Sequence, residues 1–298
     1  MRVRELAALA AVALGGPALA KDTVGLSVST LNNPFFVTLR DGARGAAQKA
    51  GLELVVLDAQ DKVDKQVADV EDLIQKKVKV ILVNPTDSSA VVPAIKKANA
   101  AGIPVITVDR GANGGTVAFH IASDNVAGGR LAGDYVCKML HGRGKVVELE
   151  GIPGSSAARD RGKGFNDHLA AGCTGVAVVA RQTANFDRAQ GLTVMENVLQ
   201  AQKEIDAVFA HNDEMALGAL QAIKASKRPI RVVGFDATDD AVKSVNACEM
   251  KATVAQQPAE MGRLSVEKAA GVAKGGKVPE KTEFIAVALR LVTSDKCR

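Results

Sequence analysis

Tryptophan is absent from this 298-residue chain, tyrosine occurs once and phenylalanine eight times. Its cores must therefore be aliphatic, and the placement of each ring is informative. Four histidines, His120, His141, His168 and His211, are scattered, and the four cysteines show no CxxC spacing or neighbouring histidine that would suggest zinc. No GxSxG elbow, HExxH pair or EF-hand loop occurs. The first expected strand-to-helix turn, Ser29 to Phe36, lacks the glycines of a dinucleotide fingerprint. Gly271 to Lys277 matches part of a P-loop, yet Val278 stands where a hydroxyl would hold magnesium, and the segment reads as a helix end. With no nucleophile beside a recognisable base, the sequence points away from an enzyme, a cofactor or a metal.

Strong charge asymmetry is also missing. Beyond residue 20, 36 basic residues face 32 acidic ones, dispersed along the chain, which argues against a nucleic-acid partner. The first twenty residues read as a cleaved export signal: Arg2 and Arg4 are basic, Leu6 to Leu14 is apolar, and Ala18-Leu19-Ala20 offers small residues for cleavage. Gly15, Gly16 and Pro17 interrupt that apolar run before it could span a bilayer. The expected location is therefore the periplasm. Oxidation there would permit two disulfides among Cys137, Cys173, Cys248 and Cys297; Cys137 with Cys173 and Cys248 with Cys297 is preferred among three pairings, and unpaired thiols stay open.

What the chain does have is alternation. Short apolar runs at Thr23 to Val28, Glu53 to Leu57, Val80 to Val83, Val105 to Val108, Val146 to Leu149, Val176 to Ala180, Ala207 to Phe209 and Arg231 to Phe235 alternate with segments of helical period. One helix is expected over Asp61 to Lys77 and another over Asp124 to Leu140, capped by Asp124 or Asn125. Eight βα units in so long a chain predict an α/β fold of two doubly wound parallel-sheet lobes. The pattern restarts near Ser123 to Asn125. Later, strand-like Thr253 to Gln256 and Thr282 to Leu289 flank one helix-like stretch, Ala259 to Lys274, so the chain is expected to cross between lobes several times and form a hinge over a cleft.

The apolar runs end in clusters: Asn33-Pro34-Phe35-Phe36, Asp109-Arg110, Asn212-Asp213 and Phe235-Asp236. Carboxyl ends of parallel strands are where such sheets bind ligands. Asp109, Arg110, Arg159, Asn212 and Asp236 offer paired planar hydrogen-bonding atoms, which suit adjacent hydroxyls. Phe35, Phe36, Phe186 and Phe235 lie in or beside the same loops and offer flat apolar faces for C–H groups. The combination predicts a polyol site. Each polar residue also has an ordinary structural use, since Asn and Asp cap helices and Arg pairs with surface carboxylates.

At these residues the chain resembles the periplasmic ribose-binding proteins of ABC importers, within the type I sugar-binding family that shares its fold with LacI-type repressor cores. The stretches carrying the resemblance are Ser29 to Phe36, His120 to Asn125, Asn212 to Leu220 and Val233 to Asp236, with Asp109-Arg110. It implies a type I periplasmic binding protein with a multi-crossing hinge, one lobe from residues 21–123 and 256–283 and the other from 124–255 and 284–298. It further implies that Asn33, Asp109, Arg110, Arg159, Asn212, Asp236 and Gln256 hydrogen-bond the sugar while the four phenylalanines sandwich it. The implied activity is monosaccharide capture, D-ribose above all, by a monomer that delivers it to a membrane permease. The alternative is a receptor for another pentose, allose or a furanose-like signalling molecule feeding a chemoreceptor. His211, the cysteines and the stretch Thr293 to Arg298 depart from the family's pattern.

Overall fold

The computed structural model of the protein describes residues 21–297, so the export signal expected over residues 1–20 lies outside the described residues. The chain begins in one lobe with β1 (Thr23–Val28), α1 (Pro34–Ala50), β2 (Glu53–Asp58), α2 (Val63–Gln75), β3 (Val80–Val83), α3 (Val92–Ala100), β4 (Val105–Val108) and β5 (Phe119–Ser123). It crosses to the other for α4 (Asn125–Met139), β6 (Arg143–Glu150), α5 (Ser156–Gly172), β7 (Gly175–Thr183), α6 (Arg188–Ala201), β8 (Ala207–Ala210), α7 (Asp213–Ser226), β9 (Arg231–Asp236), α8 (Asp239–Asn246) and β10 (Ala252–Ala255). α9 (Pro258–Ala273) and β11 (Glu283–Val287) return to the first lobe, and β12 (Arg290–Thr293) ends in the second.

Both sheets repeat one plan, β11-β5-β4-β3-β1-β2 and β12-β10-β9-β8-β6-β7, parallel throughout except where β12 runs antiparallel to β10. Strand order reverses at β1 in one lobe and β6 in the other, which leaves a crevice at the strands' carboxyl ends. Alternation along each strand feeds two cores: Val80 and Leu82 pack toward α1 and α9, whereas Ile81 and Val83 pack toward α2 and α3. In the second lobe, α4 and α5 cover one face and α6, α7 and α8 the other.

α4 and α5 approach so closely that a Cβ on Gly129 would sit 2.1 Å from the Arg161 carbonyl oxygen, and one on Gly164 would sit 2.0 Å from that of Val126. Only glycine fits there, and the close packing fixes α5 against the sheet. Cys137 and Cys173 are joined, linking the end of α4 to the end of α5, and Cys248 is joined to Cys297, linking the turn after α8 to the last turn of chain.

Three sequence expectations need correction. β5 was not among the expected strands, because its sequence Phe-His-Ile-Ala-Ser is short and His120 and Ser123 leave no continuous apolar run longer than two residues. β12 was missed for a similar reason. β11 pairs with β5 from Glu283↔Phe119 to Val287↔Ser123, so residues 284–287 belong to the first lobe and the last crossing falls at Ala288 and Leu289. Gln257 Nε2 donates to the Ala288 carbonyl at 3.1 Å and ties two crossings together.

Candidate functional site

Eleven residues close around a narrow cavity between the lobes: Asn33, Phe35, Phe36, Asp109 and Arg110 from the first, Ala157, Arg161, Phe186, Asn212 and Asp236 from the second, and Gln256 at a crossing. A wider depression beside it shares Phe35, Asp236 and Gln256, but its outer wall is formed by Asp239, Asp240 and Lys243 near the surface. The chemistry converges in the narrow one.

The two asparagines have structural work as well. Asn33 Oδ1 accepts from the Phe35 amide at 2.9 Å and caps α1, which starts at Pro34. Asn212 Oδ1 accepts from the Met215 amide at 3.0 Å and caps α7, while its Nδ2 donates to the Phe186 carbonyl at 3.1 Å. That second bond holds Phe186 in a left-handed backbone conformation, φ 61°. Capping therefore places these side chains at the cavity and does not compete with the site.

At the centre, the Arg110 guanidinium lies 5.0 Å from the ring centroid of Phe36 and 5.0 Å from that of Phe186, so it bridges rings of opposite lobes. Asp109, φ 62°, accepts at Oδ2 from Asn84 Nδ2 at 3.2 Å, and the same oxygen lies 3.9 Å from Arg110 Nε. Asn84 in turn accepts from the Ser29 amide at 3.1 Å, joining the ends of β1, β3 and β4. Across the cleft, Gln256 Nε2 donates to Asp236 Oδ1 at 2.8 Å. Below it, Asp213 accepts from the Thr238 amide at 2.8 Å and from Thr253 Oγ1 at 2.7 Å, which braces the Asp236-Ala237 turn in positive φ.

Arg159 and Phe235 are not in the cavity. Arg159 donates through Nη1 to the Gly154 carbonyl at 2.9 Å and through Nη2 to Ser88 Oγ at 3.4 Å. The arginine in the site is Arg161, which donates from Nε to Asn125 Oδ1 at 2.8 Å and from Nη1 to the His211 carbonyl at 2.6 Å, with Asp236 Oδ1 3.6 Å away. Both lie on α5, and two positions apart on a helix of 3.6 residues per turn they point in nearly opposite directions. Arg161 shares the face of Ala157, one turn before it, and both line the cavity. Phe235 faces α4, because successive strand residues alternate and Asp236 takes the cleft side. Its ring supports the Arg161 guanidinium from 3.9 Å. A further support escaped the sequence. The fully buried Glu148 accepts from His211 Nε2 at 3.0 Å, Asn166 Nδ2 at 3.0 Å and Arg181 Nε at 2.8 Å, fixing the end of β8 beneath Arg161.

Two carboxylates and two guanidinium groups are thus buried together. Burial raises the pKa of Asp109, against the pull of Arg110 and Arg161. It pushes Asp236 up to about 7, against Arg161 and the Gln256 hydrogen bond. Burial also lowers the pKa of Arg110 and of Arg161, against the neighbouring carboxylates. Asp109 Oδ1, Arg110 Nε and Nη1 and Gln256 Oε1 have no hydrogen-bond partner among the described residues. Such atoms carry a desolvation cost of about 1–3 kcal/mol each, more when charged. Adjacent hydroxyls, each able to donate and accept, would satisfy all four.

Comparison with known proteins gives a consistent family. A model described as a periplasmic binding protein domain matches residues 24–277. The chain is 53% identical to the ribose import binding protein of Escherichia coli strain K12 over 94% of this chain and 96% of that one. It is 50% identical to the ribose import binding protein of Haemophilus influenzae over 96% and 97%. Among solved structures, it superimposes on a Caulobacter myo-inositol binding protein bound to myo-inositol with a TM-score of 0.88, 37% identity and coverage of 95% and 96%.

Proposed function

The chain belongs to the periplasmic binding protein family, and from that premise we propose that it captures D-ribose between its lobes and hands it to the membrane permease of an ABC importer. The observation that carries this reading is the set of unpartnered buried atoms on Asp109, Arg110 and Gln256, beside the rings of Phe35, Phe36 and Phe186. A sugar presents hydroxyls at its edge and C–H groups on its faces, so both kinds of wall are used at once. Identity above 50% to ribose import binding proteins supports a pentose in preference to a hexose. Arg161, not Arg159, takes the second-lobe arginine's place in this reading.

Binding drives closure if the sugar makes contacts in the closed form that the open form lacks, and residues from both lobes supply those contacts here. The closed form is then the one a permease can distinguish. In the same reading the chain reaches the periplasm after removal of residues 1–20, acts as a monomer, and presents its closed form to a chemoreceptor where one is coupled to it. Titration calorimetry on protein freed of copurified sugar by unfolding and refolding tests the ligand, using D-ribose, D-allose, D-galactose and D-xylose. One-to-one binding with D-ribose tightest is expected. No binding to any of the four would reject the assignment.

A further inference from the structure

Outside the cavity, loops of the two lobes are joined by a set of hydrogen bonds that touches no cavity-facing polar atom. The Ser88 amide, after β3, donates to the Gly154 carbonyl, after β6, at 2.9 Å. The Gly111 amide, after β4, donates to Ser156 Oγ, at the start of α5, at 2.8 Å. Arg159 completes the set. Its Nη1 donates to the same Gly154 carbonyl at 2.9 Å, and its Nη2 reaches Ser88 Oγ at 3.4 Å. One exposed guanidinium therefore holds both partners of the first cross-lobe bond. The loop behind Ser88 is firm: Asp87 Oδ1 accepts from the Ser89 and Ala90 amides at 2.8 Å each, and the Ser88 carbonyl accepts from the Asn113 amide at 2.8 Å. The fit is close as well, because a Cβ on Gly154 would stand 1.9 Å from Asp87 Oδ2.

Ser88 and Gly111 belong to the first lobe and Gly154, Ser156 and Arg159 to the second, and the lobes are joined at residue 124, at 256–257 and at 288–289. Hinge opening would therefore separate the Ser88–Gly154, Ser88–Arg159 and Gly111–Ser156 bonds and leave only the Arg159–Gly154 bond within its lobe. We propose that Arg159 and the Ser88–Gly154 and Gly111–Ser156 bonds form a latch that sets sugar affinity by stabilising the closed form, without contacting the sugar. This rests on the reading of the chain as a sugar receptor that closes on its ligand. Any contact made only when closed multiplies the affinity of every ligand that requires closure by the same factor. The latch therefore tunes affinity and leaves selectivity alone.

Arg159→Ala is the test, with calorimetry for D-ribose and D-allose, stopped-flow dissociation, and melting of the sugar-free protein. Loss of the exposed cross-lobe bond from Nη2 to Ser88 Oγ is expected to raise Kd roughly two- to fivefold, by the same factor for each sugar that binds and mainly through faster dissociation. The melting temperature without sugar should move little, because in the open form Arg159 keeps only its exposed bond to Gly154 within its own lobe. Gly154→Ala should weaken binding further, because its Cβ would meet the Asp87 carboxylate that keeps the Ser88 loop in place. Unchanged Kd in Arg159→Ala, or a loss confined to one sugar as direct contact would give, overturns the latch while the wild type still binds. A wild type that binds no sugar removes the receptor reading itself, and the latch with it.

Discussion

Asp109→Asn is the perturbation that reads the site most cleanly. Alanine would confound the measurement, since Asp109 has φ 62° and only Gly, Asn and Asp visit that region at small cost. Asparagine keeps shape and backbone and removes the charge. Asp109 Oδ2 already accepts from Asn84 at 3.2 Å and lies 3.9 Å from Arg110 Nε, which leaves Oδ1 for the ligand. A hydrogen bond to a charged group contributes about 1.5–3 kcal/mol and a neutral one about 0.5–1.5, so neutralisation costs about 1–1.5 kcal/mol at Oδ1. Weaker compensation of buried Arg110 adds a similar amount. The sum stays below the roughly 3–5 kcal/mol of a fully broken buried pair, because Asp61 and Asp236 also act on Arg110. A total of about 2–3 kcal/mol corresponds to a roughly 30- to 140-fold rise in Kd for D-ribose. Titration calorimetry measures it, with melting of the sugar-free variant as the control for folding. A Kd within threefold of wild type would refute the reasoning.

Three further outcomes follow from the charges and bridges. Burial raises Asp236 to about 7 in this folded form, so its protonated state contributes stability that is full below its ordinary value near 4 and is lost as pH rises through about 7. The melting-temperature difference between wild type and Asp236→Asn, both at saturating D-ribose so that the lobes are closed, should accordingly shift against wild type from pH 4 to pH 8; a constant difference contradicts this. At Glu148 burial works to raise the carboxyl, but hydrogen bonds from His211, Asn166 and Arg181 hold it below its usual range. Its contribution is therefore present at neutral pH and fades as pH falls through the carboxylate range. Glu148→Gln should cost about 2–3 kcal/mol, since donors placed for a buried charge lose it, and thermal melting at pH 7 checks this against an unchanged midpoint. Bridges spanning 36 and 49 residues each contribute about 4 kcal/mol by loop-closure entropy. Reductant should lower the melting temperature, and the unfolded oxidised protein should show no reactive thiols; four would reject both bridges.

The strands that sequence displayed best are those buried on both faces, such as Val80 to Val83 and Val105 to Val108, where helices cover both sides and every residue is buried. Strands at the sheet margins were harder to see. β5 carries a half-buried His120, β11 exposes Phe284 and β12 is half-buried at most; these flank the crossings and shifted one lobe boundary. The strand-end clusters brought Asn33, Phe35, Phe36, Asp109, Arg110, Asn212, Asp236 and Gln256 to one cavity, because the carboxyl ends of parallel strands share an edge. The same logic gives no direction for a side chain within a helix. Arg159 and Arg161 flank Asp160 in one polar run, and only the angle fixed by the Gly129–Gly164 crossing decides which of them enters the cleft. Phe235 fell to the pleat. Glu148 was invisible for another reason: it lies inside a strand, and nothing in its neighbours reveals the three donors brought to it by α5, β7 and β8.

The most direct test of a sugar held between the lobes is the crystal structure of the mature chain with D-ribose. The account predicts ribose hydroxyls within about 2.5–3.2 Å of Asp109 Oδ1, Arg110 Nη1, Arg161 and Gln256 Oε1, with the sugar ring lying between the phenylalanines. A ribose found elsewhere on the protein, or one in the cleft that leaves those atoms without partners, would contradict it.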